Sequence, residues 1–74
     1  GRLDCILFAP KQIFIIEFKV DESAEKALAQ INEKGYAEPY RTDGRPIVKI
    51  GVNFSSEERT IEGWKVEEEL KVKN

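Results

Sequence analysis

The eight residues Ile13-Phe14-Ile15-Ile16-Glu17-Phe18-Lys19-Val20 constrain the fold more than any other stretch of this chain. Four consecutive bulky apolar residues suit a strand buried on both faces. The run is too short for a buried helix, and Ile and Phe favour a pleated surface. Side chains alternate along a strand, so Glu17 and Lys19 share one face while Phe18 points to the other. A carboxylate and an ammonium at the end of so apolar a strand mark its exit as a place where chemistry is delivered.

Upstream, Gly1 to Ala9 also alternates, with Leu3, Cys5 and Leu7 on one side and Asp4, Ile6 and Phe8 on the other. Pro10-Lys11 breaks the pattern, which predicts a hairpin. With a loop of two residues, paired positions sum to 21 and Asp4 lies opposite Glu17. A loop of four keeps that pairing, whereas a bulge shifts it by one and moves Asp4 away. In the first register two carboxylates and a lysine gather on one surface. A divalent cation is the simplest way to relieve the repulsion between the carboxylates.

Asp21 to Gly35 is the expected helix. Ser23 or Asp21 can cap it, Glu22 and Glu25 suit its first turn, and Gly35 suits its end. Ala24, Ala27, Leu28 and Ile31 form its buried stripe, with Gln30 on the flank. Tyr36 to Pro46 reads as a loop, and Ile47 to Phe54 as a second buried strand in which Gly51 permits close approach. Strand, helix, strand is a crossover unit, so this strand should run parallel to Ile13–Val20. Asn53 then stands near Lys19, on the edge where open α/β sheets place their ligands. A last antiparallel strand is expected from Arg59 to about Glu67, with Trp64 packed against the sheet. Residues 67–74 form a charged tail expected to fray or to extend that strand.

Composition narrows the chemistry. Seventy-four residues make one small domain, which buries only roughly 60–65% of its unfolded surface. With 41% apolar and 35% charged residues it is of ordinary globular type, without a membrane segment. The lone Cys5 and the lack of a signal-peptide pattern point to a reducing, cytoplasmic setting. A net charge of −2 and pI of 5.2 do not describe a general nucleic-acid binder. Six of the fourteen carboxylates fall between Glu57 and Glu69, so Arg41, Arg45 and Lys49 leave room for a local basic patch. The absence of histidine excludes Ser-His and Cys-His triads and His-based zinc sites. Any metal here is held by oxygen, which favours Mg²⁺ or a similar hard ion.

Gly1-Arg2-Leu3-Asp4, twelve intervening residues, Glu17-Phe18-Lys19, then Gln30 on the next helix and Tyr36 after it form an ordered set. This set resembles the PD-(D/E)XK nuclease superfamily, in particular the domain that closes AAA-ATPase-like bacterial proteins. The resemblance covers residues 1 to about 64, including Ala29-Gln30-Ile31-Asn32-Glu33-Lys34-Gly35-Tyr36-Ala37 and Lys49-Ile50-Gly51-Val52-Asn53-Phe54-Ser55. It implies a restriction-endonuclease-like core in which Asp4 and Glu17 bind Mg²⁺ or Mn²⁺ with the main-chain carbonyl of Phe18. Lys19 orients or activates the attacking water, and Gln30 matches the helix glutamine of the RecB-like branch. The superfamily core begins with a helix and a strand not found before Gly1. The chain is therefore expected to be a fragment of a longer protein and to hold an incomplete site.

The expected fold is α/β: a four-stranded mixed sheet in the order ββαββ, with residues 1–66 as the nuclease-like part. The expected function is Mg²⁺-dependent hydrolysis of nucleic-acid phosphodiesters, with an ATPase-like domain of the same parent chain as partner. The alternative is a catalytically idle module of the same fold that binds nucleic acid or protein. Plainer readings stand beside these. Glu17 and Lys19 also fit a surface pair at a strand end, Gln30 a helix-surface amide, Cys5 a small buried hydrophobe, and Glu67–Glu69 a solubilising run. The bare outer edge and apolar face of such a fragment predict a homodimer.

Overall fold

The computed structural model describes residues 5–69. Strands β1 (Cys5–Phe8) and β2 (Ile13–Val20) are followed by helix α1 (Ala24–Glu33), a 3-10 helix (Glu38–Asp43), and strands β3 (Ile47–Ser55) and β4 (Thr60–Glu69). The sheet order is β1-β2-β3-β4, with β2 and β3 parallel and both outer strands antiparallel to their neighbours. This is the expected mixed sheet with one helix. The 3-10 helix is an addition to the ββαββ order, in a stretch read as loop. Pro39 lies in its first turn, where the missing N–H costs nothing, and Gly44 ends it at a φ of 98°.

The first hairpin adopts the two-residue loop. The Ala9 N–H donates to the Gln12 carbonyl at 2.9 Å, and Cys5 faces Ile16 through to Phe8 facing Ile13. Every pair sums to 21. Asp4 lies outside the described residues.

Helix α1 starts at Ser23, whose hydroxyl accepts from the Lys26 N–H at 3.1 Å. Asp21, the other candidate cap, instead takes a left-handed φ of 58° and bonds Ser56 in the β3–β4 turn through N–H (3.0 Å) and hydroxyl (2.5 Å). At the far end Gly35 adopts a φ of 67°. Its N–H donates to Asn32 and that of Tyr36 to Ile31, a Schellman closure that satisfies the last carbonyls.

The helix covers one face of the sheet. Ile15, Ile31, Ala37 and Ile47 form the core there, with Leu28, Tyr36 and Tyr40 packed against them. Gly51 makes the close approach possible. A Cβ at that position would stand 2.4 Å from the Ala24 carbonyl oxygen and 2.5 Å from the Leu28 nitrogen. The opposite face carries Phe14, Ile16, Val48, Ile50 and Val52 down its middle, and no described helix lies on it. Trp64, expected to pack against the sheet, is 68% exposed there. Its strand partner Val52 is buried, whereas no described helix lies over the indole.

Candidate active site at the exit of strand β2

The helix-facing side of β2 reads Ile13, Ile15, Glu17, Lys19. The first three are completely buried, and Lys19 is half-buried as the strand leaves the helix. A wholly buried carboxylate is rare in so small a domain, because desolvating the charge costs several kcal/mol. Across the parallel ladder Glu17 faces Gly51 and Lys19 faces Asn53, so these four positions share the face beneath α1. Their edge is formed by the C-terminal ends of β2 and β3.

Gln30 completes the group from above. Lys19 and Gln30 line one shallow depression of about 240 Å³ with Glu22, Lys26, Ala29 and Glu33. The structure thus brings two of the sequence-predicted residues together around one hollow, with Glu17 on the adjoining strand position beneath the helix. Phe18 points the other way and is 43% exposed on the uncovered face, as alternation requires. Tyr36 joins the core cluster around Ile15 and Ile47, toward the N-terminal end of β3.

Asp21 fixes the end of β2. Its N–H donates to the Phe54 carbonyl at 2.8 Å, and its carboxylate binds Ser56, whose two hydrogen bonds hold the carboxyl below its ordinary range. The strand that carries Glu17 and Lys19 is thereby tied to β3. In the sequence Asp21 has only the look of a helix cap. A contact 35 residues away has no local signature.

The basic patch allowed for in the sequence does not form. Arg41 donates to Glu69 at 2.6 and 2.8 Å and also pairs with Glu38. Arg45 donates to Asp43 at 2.6 and 2.7 Å and to the Ala9 carbonyl at 2.8 Å, and lies over the Phe8 ring. Lys49 is 3% exposed, with its ammonium 2.6 Å from Asn32 Oδ1, 3.0 Å from Glu69 and 3.5 Å from Glu67. The acidic stretch that looked merely solubilising neutralises Arg41 and Lys49 from β4, whereas Arg45 is neutralised by Asp43.

Among the described residues no three His, Cys, Asp or Glu side chains converge as a metal cluster. The donors present fit a hard cation nonetheless: Glu17 supplies a carboxylate, and the chain has no histidine and a single thiol to draw a softer ion.

A sequence model of the PD-(D/E)XK nuclease superfamily matches residues 1–64. The chain belongs to that superfamily. Its match spans strands β1 and β2, the helix with Gln30 and the strand with Asn53. An uncharacterised protein from the vnfD 5′ region of Azotobacter chroococcum mcd 1 is 42% identical over 69 residues, which cover 90% of this chain and 13% of that relative. The chain therefore spans about one eighth of the relative's length. No solved structure matches it. No described helix of this PD-(D/E)XK chain is long and apolar enough to cross a membrane.

Proposed function

We propose that the chain is the catalytic part of a nuclease that hydrolyses nucleic-acid phosphodiesters with Mg²⁺ or Mn²⁺. The observation that carries this reading is the placement of Glu17: a fully buried carboxylate on the same strand face as Lys19, at the C-terminal edge of two parallel strands. In this reading Asp4, Glu17 and the main-chain carbonyl of Phe18 would hold the ion. Lys19 orients the attacking water and the phosphate, and Gln30 contacts the substrate from the helix. The bound cation supplies stabilisation of the charge that develops on the phosphate. An ammonium and carboxylates suffice for such a reaction, which agrees with a chain that has no histidine.

The parent protein in this reading also contains an AAA-ATPase-like domain. The small share of the relative's length that the chain covers supports a nuclease-like piece within a longer protein. A second copy of the chain covers the apolar sheet face. The deciding experiment is cleavage of labelled DNA and RNA by the full-length protein with Mg²⁺ or Mn²⁺, alongside Glu17→Ala. Metal-dependent cleavage abolished by Glu17→Ala supports the enzyme. Binding of nucleic acid without cleavage, unchanged by Glu17→Ala, supports the idle module instead.

A further inference from the structure

Asn53 is the register partner of Lys19, on the same face of the sheet. Neighbouring strands run about 4.8 Å apart, so the two side chains start side by side. The amide of Asn53 has a fixed sense. Its Nδ2 donates to Glu62 Oε1 at 3.1 Å, and an ionised carboxylate can only accept, so the amide cannot turn over. Glu62 reaches this place because the β3–β4 register slips: Asn53 faces Gly63 while Phe54 faces Ile61, leaving Glu62 as the extra residue of a bulge.

The consequence falls on the other end of the amide. Asn53 Oδ1 is sealed from solvent and accepts no hydrogen bond among the described residues. A buried acceptor with its bond unmade is among the costlier defects a small domain can carry. The ammonium of Lys19, the adjacent donor along the ladder, makes no hydrogen bond or ion pair among the described residues. Its ammonium has three N–H groups on a flexible four-carbon stem, which by itself gives no defined direction.

We infer that Asn53 is a positioning residue for Lys19: its Oδ1 accepts one N–H of the ammonium and leaves the other two for water and phosphate. The structure does not make this contact, since Lys19 lines the hollow with Gln30 and Asn53 the one with Glu62; it is inferred from the strand register and the unmet Oδ1, and its catalytic value rests on the nuclease reading. Glu62 acts one step further out, by fixing the sense of the amide.

Two measurements on the full-length protein test this. In ¹⁵N,¹³C-labelled material, a scalar coupling across the hydrogen bond should connect Lys19 Nζ with the Asn53 side-chain carbonyl carbon. For Mn²⁺-dependent cleavage of an oligonucleotide, Asn53→Ala should lower kcat about tenfold while KM and Mn²⁺ affinity hold. In the Lys19→Ala background, Asn53→Ala should cost nothing further, since a residue acting through another has no effect once that residue is gone. The exchanged pair Asn53→Asp with Glu62→Gln keeps both the acceptor and its tether, and should recover most of the rate. Absence of the coupling, or losses that multiply in the double variant, overturns the inference. A wild-type protein that shows the coupling but cleaves nothing would refute the nuclease reading and leave the contact standing.

Discussion

Glu17 and Gly51 face each other across the parallel β2–β3 ladder, and the missing side chain of one seats the helix that buries the other. A methyl group at position 51 would meet the backbone of α1 at Ala24 and Leu28, which cannot yield as a side-chain tip can. Gly51→Ala should therefore lift the helix and cost about 3 kcal/mol, the upper range for overpacking. Urea unfolding followed by circular dichroism measures this. A midpoint equal to wild type would show that the helix is not held at this point.

Lys49 makes a different demand. Its buried ammonium is balanced by Asn32, Glu67 and Glu69, so removing the carboxylates strands a charge while removing the lysine does not. Lys49→Met should stay within about 1.5 kcal/mol of wild type, and Glu67→Ala with Glu69→Ala should lose about 3 kcal/mol. The reverse order in urea midpoints would mean that the ammonium is solvated in the folded state.

Acid should act through the same strand. Arg41, and after it Lys49, hold the Glu69 carboxyl down to about 2 from an ordinary 4.5. Arg45 holds Asp43 at about 2 in the same way. Because the folded state binds these protons less readily than the unfolded state, their contribution is complete above about pH 4.5 and disappears as pH falls through about 2. These groups are largely solvent-facing, so salt should weaken the effect. Melting temperatures between pH 5 and 2 should fall less steeply for Glu69→Gln than for wild type. Parallel curves would remove Glu69 from the acid response.

Much of this arrangement was legible from the residues. Strict alternation and a two-residue Pro10-Lys11 loop set the hairpin register, and the crossover rule set Asn53 beside Lys19. Ser23 and Gly35 marked the helix ends because capping is local chemistry. What stayed hidden depends on distance along the chain. Nothing near Lys49 announces that Glu67 and Glu69 will lie across from it, and nothing near Asp21 announces Ser56. Trp64 was misplaced for a related reason: alternation gives its face, but not whether that face is covered.

Lys19 separates metal binding from turnover. Its ammonium lies on the Glu17 face and shares a hollow with Gln30. In the full-length protein Lys19→Ala should reduce Mn²⁺-dependent cleavage about 100-fold, with Mn²⁺ affinity by calorimetry nearly unchanged. Unchanged turnover would remove Lys19 from the mechanism, and a loss of folding would give it a structural role instead.

The uncovered sheet face sets the last expectation. Leu7, Phe18, Val20, Ile61, Trp64 and Val66 on it are each between 43% and 68% exposed, around a floor of buried Val48 and Val52. The least dimension of the molecule, 16 Å, has room for one sheet and one helix layer. A contiguous apolar face of this kind on a small domain marks an interface, and two-fold pairing of identical faces is the commonest way to close one. β1 and β4 are the outer strands of the sheet, so edge pairing between copies offers a second contact. Sedimentation equilibrium of the 74-residue chain at micromolar concentration should therefore show a dimer. Trp64→Lys with Val66→Lys should convert it to monomer without loss of helix signal, because neither side chain belongs to the core beneath α1. A wild-type chain that sediments as an 8.5 kDa species would refute self-association through this face.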